Sequence, residues 1–301
     1  MEVWRRRIDP FAKTFFQTSE WANLLLRHDP SLAPAPLEGD GFCVPLMLKR
    51  RLGGITDSYY GMPFMTPAGV VAENSDPGFQ WRELFGRLAS LRAATVVVCF
   101  PPDQIPPRDE RFLWEEDTTH VLDLSPGWER IWEDVYHARC RRSVRTAQKE
   151  GVTIQEASSE TDIYEHWQIM RHNAKKWKLR PLPTHAFIRD VASLPAARVY
   201  LARVGSTVVA SKLTFVFGQE SFYWQGGRAP DESPRGTYSA LSSYSIERAC
   251  QEGCQTYNFA SSLGIPGIEE YKESFGAKRI PFTILKQMHP LARFARRIKP
   301  T

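Results

Sequence analysis

The sequence lacks long apolar runs, a secretion signal and a cysteine framework. No window approaches the roughly 18 consecutive apolar residues that a membrane-spanning helix requires. The charged start, Met1–Arg7, is not followed by the apolar segment of a signal peptide. The five cysteines are an odd number without a paired CxxC motif, so neither a disulfide scaffold nor a zinc site is expected. We therefore expect a soluble protein of a reducing compartment, the cytoplasm, without a transmembrane segment.

The motifs of several common catalytic and nucleotide-binding sites are missing as well. The sequence has no GxSxG nucleophile elbow, no GxxxxGK[ST] phosphate loop and no HExxH zinc motif. His166 and His172 lie six positions apart and do not share a helical face, so we interpret them as ordinary histidines. No metal site is expected.

The chain does contain ample apolar material and a slight excess of positive charge. Hydrophobic residues make up 42% of the 301 residues and aromatic residues 12%, enough for two domains or one large one. The net charge of +5 suits an anionic ligand such as tRNA, a nucleotide or a coenzyme, but also a protein without one. Only 11 of the 39 basic residues are lysine, a bias typical of GC-rich bacterial genomes.

Hydrophobic patterns predict an α/β (α+β) fold with mixed sheets. The second half carries seven strand or helix signals, at 198–204, 207–217, 221–225, 237–251, 256–259, a short helix around Lys272, and 280–286. The first half shows a cruder version of the same order, with a helix at 79–92 and a buried strand at 94–100. A helix predicted from Pro126 to about Glu150, with Gly151 as its cap, leads into the second half. We therefore place two domains, at 1–150 and 151–301.

A basic segment in this central helix is the first pattern that indicates a ligand. Arg142, Arg145 and Lys149 recur at helical spacing, so they share one face. A guanidinium presents a planar pair of donors to a phosphate, and such a face can bind tRNA or another phosphorylated ligand. A solvated basic face, or one that pairs with acidic neighbours, gives the same pattern, and the spacing does not choose between them.

The segment from Tyr257 to Gly276 is the most distinctive part of the chain. A short apolar strand runs into small residues, then a Gly/Pro turn, and then a helix that ends in Lys272-x-x-Phe275-Gly276. Gly276 is predicted to cap the helix in a left-handed backbone conformation, which is easiest for a residue without Cβ.

Three motifs in order resemble the Fem-type aminoacyltransferases. They are an N-terminal F-x-Q-T-x-x-W around Gln17 and Trp21, a central R-x-x-[IV]-[RK]-x-A-x-K-x-G-V that begins at Arg141, and the closing Lys272-x-x-Phe275-Gly276. The resemblance implies two tandem halves similar to GNAT acetyltransferases. It also implies transfer of an acyl group, often an aminoacyl group from aminoacyl-tRNA, to an amine.

The resemblance also implies where the site lies. Lys272 is expected to be catalytic, with Ser261 and Phe275 in substrate binding; the alternative is an exposed helix-end lysine that contributes little to folding. Tyr223 and Trp224 line either the acceptor pocket or the core. Arg180 belongs either to an anion-binding edge or to a solvated helix end.

Two departures from the family narrow the expected function. The chain has no room for the coiled-coil arm of the cell-wall enzymes, and it lacks the [QR]-x-x-G-x-[GA] motif with which GNAT enzymes hold coenzyme A. We therefore expect aminoacyl transfer from aminoacyl-tRNA to an amine on a small natural product or cell-wall precursor, without a cofactor. The alternatives are an acetyl-coenzyme-A-dependent N-acetyltransferase and a non-catalytic module that binds a nucleotide or RNA.

Overall fold

The computed structural model describes residues 1–50, 57–72, 81–176, 182–230 and 233–288. The chain divides into two compact units, Met1–Asp117 with the segment from Pro281, and Thr118–Ile280. The boundary expected at residue 150 therefore falls inside the second unit. The reason is that the central basic helix does not join two halves but packs against the helix Thr237–Gln251 of the second unit.

The first unit contains two sheets and two α-helices within its described residues. Its strands and helices are β1 (Leu32–Pro34), β2 (Leu37–Gly39), β3 (Phe42–Val44), β4 (Met47–Lys49), β5 (Ser58–Gly61), β6 (Val71–Ala72), β7 (Thr95–Cys99), α1 (Ser19–His28) and α2 (Trp81–Ser90). The larger sheet has the order β1-β4-β5-β7 and continues onto residues 284–288 of the last strand of the chain, which spans Lys278–Met288. Only its β5–β7 pair is parallel. The strands β2, β3 and β6 form a separate antiparallel sheet.

The N-terminal motif around Gln17 has a structural role in this unit. The Gln17 side chain is fully buried; its Oε1 accepts hydrogen bonds from the Lys13 and Thr14 amides, and its Nε2 donates to the Ala68 carbonyl. The Thr18 hydroxyl accepts from the Trp21 amide and caps α1. A buried amide that satisfies three backbone groups explains why glutamine occupies this position.

The second unit holds one mixed sheet with helices on it. Its elements are β8 (Leu113–Asp123), which enters this unit at Thr118, α3 (Trp128–Arg130), α4 (Ala138–Lys149), β9 (Val152–Glu156), α5 (Glu160–Lys176), α6 (His185–Ala192), β10 (Ala197–Val204), β11 (Thr207–Phe217), β12 (Glu220–Arg228), α7 (Thr237–Gln251), β13 (Thr256–Ser261), α8 (Pro266–Glu273) and the start of β14 (Lys278–Met288), which continues into the first unit at Pro281. The sheet order is β8-β13-β12-β11-β10-β9, and only β12 and β13 are parallel. The predicted order of strands and helices in this part of the chain is confirmed.

The prediction of one continuous helix over residues 126–150 is wrong. The chain leaves the helical conformation at Tyr136, which has an extended backbone, and α4 begins two residues later. The break lets Tyr136 bury its ring against Phe275. The Arg141 guanidinium donates to the carbonyls of Trp132, Glu133 and Tyr136, so it satisfies acceptors that a helix end leaves open.

No helix in the described part of the chain is long and apolar enough to cross a membrane. The longest helix there, α5, has 17 residues, so the described residues contain no coiled-coil arm.

Gly276 ends α8 with a φ of 80°, as the sequence predicted, and a Cβ there would lie 2.3 Å from Val135 Cγ1 and 3.0 Å from the Val135 carbonyl oxygen. Gly253 has the same φ of 80° but open space around it. We therefore expect Gly276→Ala to lower the free energy of unfolding by about 2–4 kcal/mol. Gly253→Ala should lower it by only about 1–2 kcal/mol, because alanine there is strained by the left-handed backbone alone and meets no neighbouring atom. Urea unfolding of both variants measures the difference, and equal losses would contradict the close contact with Val135.

Candidate active site

The site lies where β12 and β13 separate. The two parallel strands are paired only over Glu220–Phe222 and Thr256–Asn258, although β12 continues to Arg228 and β13 to Ser261. Beyond the paired part, the ladder no longer joins the facing edges of the two strands. An opening between parallel strands in a sheet offers backbone donors and acceptors to a ligand, and side chains from both strands can reach it.

A bulge in β12 determines on which side of the sheet the side chains next to this opening lie. Leu213 pairs with Gln225 and Thr214 with Tyr223, so Trp224 is the extra residue. Trp224 is buried and packs against Phe187 and Phe215. The Tyr223 hydroxyl accepts a hydrogen bond from the Tyr238 hydroxyl at 2.9 Å, and this ring lies on the α7 side of the sheet. The bulge thus separates the two residues that the sequence grouped together: Tyr223 contacts α7, whereas Trp224 packs in the core.

Lys272 is buried, with 4% of its surface exposed, and is not an exposed helix-end lysine. Its ammonium donates to the carbonyl of Ala260 at 2.7 Å and to that of Ser261 at 2.9 Å. Both carbonyls belong to the last residues of β13, on the edge of the opening. Lys272 therefore places a positive charge at the end of this strand and holds the strand end in place.

The loop that Lys272 holds has a strained backbone. Ala260 and Leu263 adopt φ values of 58° and 53°, which residues with a Cβ rarely take. The Ser261 hydroxyl accepts from the Leu263 amide, and the buried Ser262 hydroxyl lies 3.3 Å from Nδ1 of His120. Burial and the charge of Lys272 lower the pKa of His120. A strained loop fixed by several side chains is typical of functional sites.

Phe275, expected to contact substrate, is fully buried in the core of the second unit. Its ring packs edge-on against Tyr136 and Tyr271, each with a centroid distance of 5.1 Å, and lies tilted against Phe259 at 5.5 Å. The Tyr271 hydroxyl donates to the Tyr238 carbonyl and lies 2.6 Å from Ser242 Oγ. Phe275 therefore orients Tyr271, which is the residue of α8 that faces α7.

The structure adds one residue that the sequence reading missed. Lys212 of β11 is 1% exposed, and its amine donates to Ser242 Oγ at 2.7 Å and to the Tyr257 hydroxyl at 3.3 Å. Burial, with a smaller contribution from the charge of Lys272, lowers the pKa of Lys212 well below its usual value. The signal was present in the sequence, because Lys212 is the one charged residue in the run Thr207–Phe217. Burial of a charged side chain in a mostly apolar strand is costly, so such a residue indicates a specific role.

The basic face predicted on α4 lines a groove of about 320 Å³. Its lining residues are Ala138, Arg141, Arg142, Arg145, Thr146 and Lys149. Arg142, Arg145 and Lys149 are exposed, whereas Arg141 is partly buried by its contacts with the helix break. The Arg145 guanidinium lies 5.8 Å from the centre of the Trp132 ring.

The start of α4 adjoins the end of α8, since the His137 amide donates to the Ser274 carbonyl. The groove therefore begins beside the helix that carries Lys272.

The start of α7 is packed against α4. Gly236 precedes α7 with a φ of 78°, and a Cβ there would lie 2.0 Å from the Ser143 carbonyl oxygen. The Arg235 amide donates to the Glu150 carboxylate. In GNAT enzymes the corresponding amides hold a pyrophosphate, but here the backbone approaches another helix instead. Arg180, the remaining predicted substrate residue, lies outside the described residues.

Comparisons with known proteins agree with this geometry. Residues 135–273 match the family model described as an acetyltransferase (GNAT) domain. No curated protein matches the chain. The structure of FemX matches with a TM-score of 0.64 at 11% identity, over 95% of this chain and 94% of that one.

Two further structures are similar in fold. The C-terminal domain of a protein assigned as a lysylphosphatidylglycerol synthetase from Agrobacterium fabrum has a TM-score of 0.61 at 15% identity, over 92% of this chain and 90% of that one. L-PGS from Bacillus licheniformis has a TM-score of 0.56 at 12% identity, over 93% of this chain and 94% of that one. The expected Fem-like GNAT fold is confirmed. The second unit therefore has a fold of the GNAT type, and the chain as a whole has the fold of FemX.

Proposed function

We propose that this protein transfers an aminoacyl group from aminoacyl-tRNA to an amine acceptor, either a small natural product or a cell-wall precursor. The observation that carries the proposal is the basic groove on α4, which begins beside α8 and Lys272. Three exposed cations lie along one helix, and one of them, Arg145, lies over the Trp132 ring. The cations can bind phosphates, and the ring offers an aromatic surface for a base. This combination suits the single-stranded end of a tRNA.

In this reaction the acceptor amine attacks the ester carbonyl that joins the amino acid to tRNA. A new amide bond forms, the ester bond breaks, and the tRNA hydroxyl leaves with a proton. Negative charge develops on the carbonyl oxygen in the transition state. The Lys272 ammonium, fixed by the Ala260 and Ser261 carbonyls, supplies a preorganised positive charge beside the opening between β12 and β13.

Acetyl-coenzyme A is the second candidate donor, because the family model that matches residues 135–273 is that of an acetyltransferase domain. The residues that would hold its pyrophosphate do not fit the usual pattern. The segment Gly226–Gly236 contains two prolines and two acidic residues, and its end packs against α4. Proline has no amide hydrogen and acidic side chains repel phosphate, so this sequence does not favour the cluster of backbone amides that holds a pyrophosphate.

We therefore expect acetyl-coenzyme A to bind weakly or not at all. Isothermal titration calorimetry with acetyl-coenzyme A measures this directly, with desulfo-coenzyme A as a second ligand of the same nucleotide part. Micromolar or tighter binding of both would favour the acetyltransferase instead.

The proposed function itself is tested by incubating the protein with tRNA charged with isotope-labelled amino acids and a panel of amine acceptors. Mass spectrometry should detect the labelled aminoacyl mass on an acceptor. Parallel reactions with labelled acetyl-coenzyme A distinguish the two donors. Transfer from acetyl-coenzyme A alone would refute the tRNA-dependent reaction.

A further inference from the structure

We propose that Asn258 is a positioning residue for acyl transfer: its side chain shapes the end of β13 and thereby places the Lys272 ammonium at the opening between β12 and β13. The proposal rests on the proposed function, since the reaction it supports is the transfer at this opening. Asn258 lies outside the Lys272-x-x-Phe275-Gly276 motif and acts on Lys272 through the backbone of Ala260.

The strand β13 contains one extra residue where its pairing with β12 ends. On its other side, β13 pairs with the antiparallel strand β8, first Asn258 with Val121 and next Ser261 with Thr119. Three steps along β13 therefore match two steps along β8, and the extra residue forms a β-bulge. Ala260, inside the bulge, has a φ of 58°. The pairing with β12 ends at Asn258, so the bulge begins where the opening begins.

The Asn258 side chain holds this bulge with both of its polar atoms. The residue is buried, and its Oδ1 accepts from the Ala260 amide at 2.9 Å and from the Thr119 hydroxyl at 2.6 Å. Its Nδ2 donates to the Glu220 carboxylate at 3.1 Å. An asparagine oxygen that accepts from the amide two residues later closes an Asx turn, which stabilises a local turn of the backbone. One side chain thus connects the three neighbouring strands β8, β13 and β12.

The backbone of Ala260 joins Asn258 to Lys272. The Ala260 amide donates to Asn258, and the Ala260 carbonyl accepts from the Lys272 ammonium at 2.7 Å, so both backbone polar groups of Ala260 bond to side chains. A left-handed conformation is unfavourable for alanine and persists only where surrounding contacts stabilise it. A change at Asn258 therefore shifts the Ala260 carbonyl, and the Lys272 ammonium shifts with it.

The surroundings of this side chain favour asparagine over aspartate. They call for an acceptor toward the Ala260 amide and a donor toward the Glu220 carboxylate, and an asparagine amide supplies both. In Asn258→Asp the acceptor is kept, but the second oxygen faces Glu220, and two adjacent carboxylates repel each other. Adding Glu220→Gln restores a donor and an acceptor with the direction of the hydrogen bond reversed, because a glutamine amide donates to a carboxylate.

The positioning role is tested by steady-state transfer from charged tRNA with Asn258→Asp, Glu220→Gln and the double variant, at a temperature where urea unfolding shows each to be folded. Asn258→Asp should lower kcat by about ten- to a hundredfold, because a displacement of about 1 Å at a reacting centre costs up to about a hundredfold. KM for charged tRNA should change little, since the basic groove is untouched. Glu220→Gln is the control and should behave as wild type, because its amide oxygen still accepts from Asn258. The double variant should recover most of kcat.

A measurement without substrate reports the position of Lys272 directly. In nuclear magnetic resonance of protein labelled at the lysine side chains, the Lys272 ammonium signal is assigned by its absence in Lys272→Met. The chemical shift of this signal should change in Asn258→Asp and return toward the wild-type value in the double variant. Glu220→Gln alone should leave it nearly unchanged. The signal comes from folded molecules, so a loss of stability does not by itself move it.

A normal kcat in folded Asn258→Asp, or a double variant that stays as slow as Asn258→Asp, would assign Asn258 a purely structural role and overturn the proposal. An unchanged Lys272 signal in Asn258→Asp would overturn it as well. If the wild-type protein transfers no aminoacyl group, the proposed function fails, and the resonance measurement still shows whether Asn258 places Lys272. The two failures are therefore distinguishable.

Discussion

Replacing Lys272 with methionine is expected to reduce both acyl transfer and stability. Methionine cannot meet the negative charge that develops on the ester carbonyl, and loss of one such contact costs about 3 kcal/mol, or roughly a hundredfold in rate. The variant also leaves the Ala260 and Ser261 carbonyls without the ammonium that they share. Because an unsatisfied buried polar group costs about 1–3 kcal/mol, we expect the free energy of unfolding to fall by about 2–4 kcal/mol.

Stability and rate should be measured on the same preparation, by urea unfolding and by single-turnover transfer from charged tRNA at a temperature where the variant is folded. Lys278→Met is the matched control, since Lys278 is an exposed lysine six residues further along the chain. The control should leave both quantities nearly unchanged. Near-normal turnover in Lys272→Met would show that the lysine only anchors the loop.

Replacing Arg142, Arg145 and Lys149 together with alanine should weaken tRNA binding and reduce its salt dependence. Each phosphate contact releases bound counterions, so the logarithm of affinity falls with the logarithm of salt concentration by about 0.7–0.9 per contact. Three contacts therefore account for a slope of about 2–3, which the variant should lose. Filter binding or fluorescence anisotropy with uncharged tRNA over a salt series measures both slopes.

The control for this experiment changes the net charge by the same amount elsewhere in the second unit. Arg171, Lys175 and Arg189 are exposed on α5 and α6, and their triple alanine variant should keep most of the slope. If both variants lose the same part of the slope, tRNA binding depends only on the net charge of the protein, and the groove is a solvated basic face.

The sequence predicts the parts of this structure that depend on local chemistry. The left-handed cap at Gly276 depends on a few neighbouring residues, and this prediction is confirmed. The order of strands and helices in the second unit is predicted by hydrophobic periodicity, because the period of apolar residues in each segment depends only on which face of that segment is buried.

The parts that the sequence does not predict depend on contacts between distant residues. The break at Tyr136 is stabilised by a ring contact with Phe275, 139 positions away, and no local signal marks it. The amine of Lys212 is surrounded by side chains from β12, α7 and β13, so its environment exists only after folding. The Lys272-x-x-Phe275-Gly276 motif drew attention to Lys272, but its burial depends on the path of the chain at the end of β13.

The left-handed backbone at Ala260 and Leu263 has a consequence for how this protein could change under selection. Glycine at either position would relieve the strain, and substitutions of that kind are among the easiest routes to a more heat-resistant protein. The same change would loosen the carbonyl groups to which Lys272 is bound. Selection for heat resistance and selection for rapid turnover would therefore favour different residues at these two positions, and homologues from hot and temperate habitats should differ there first.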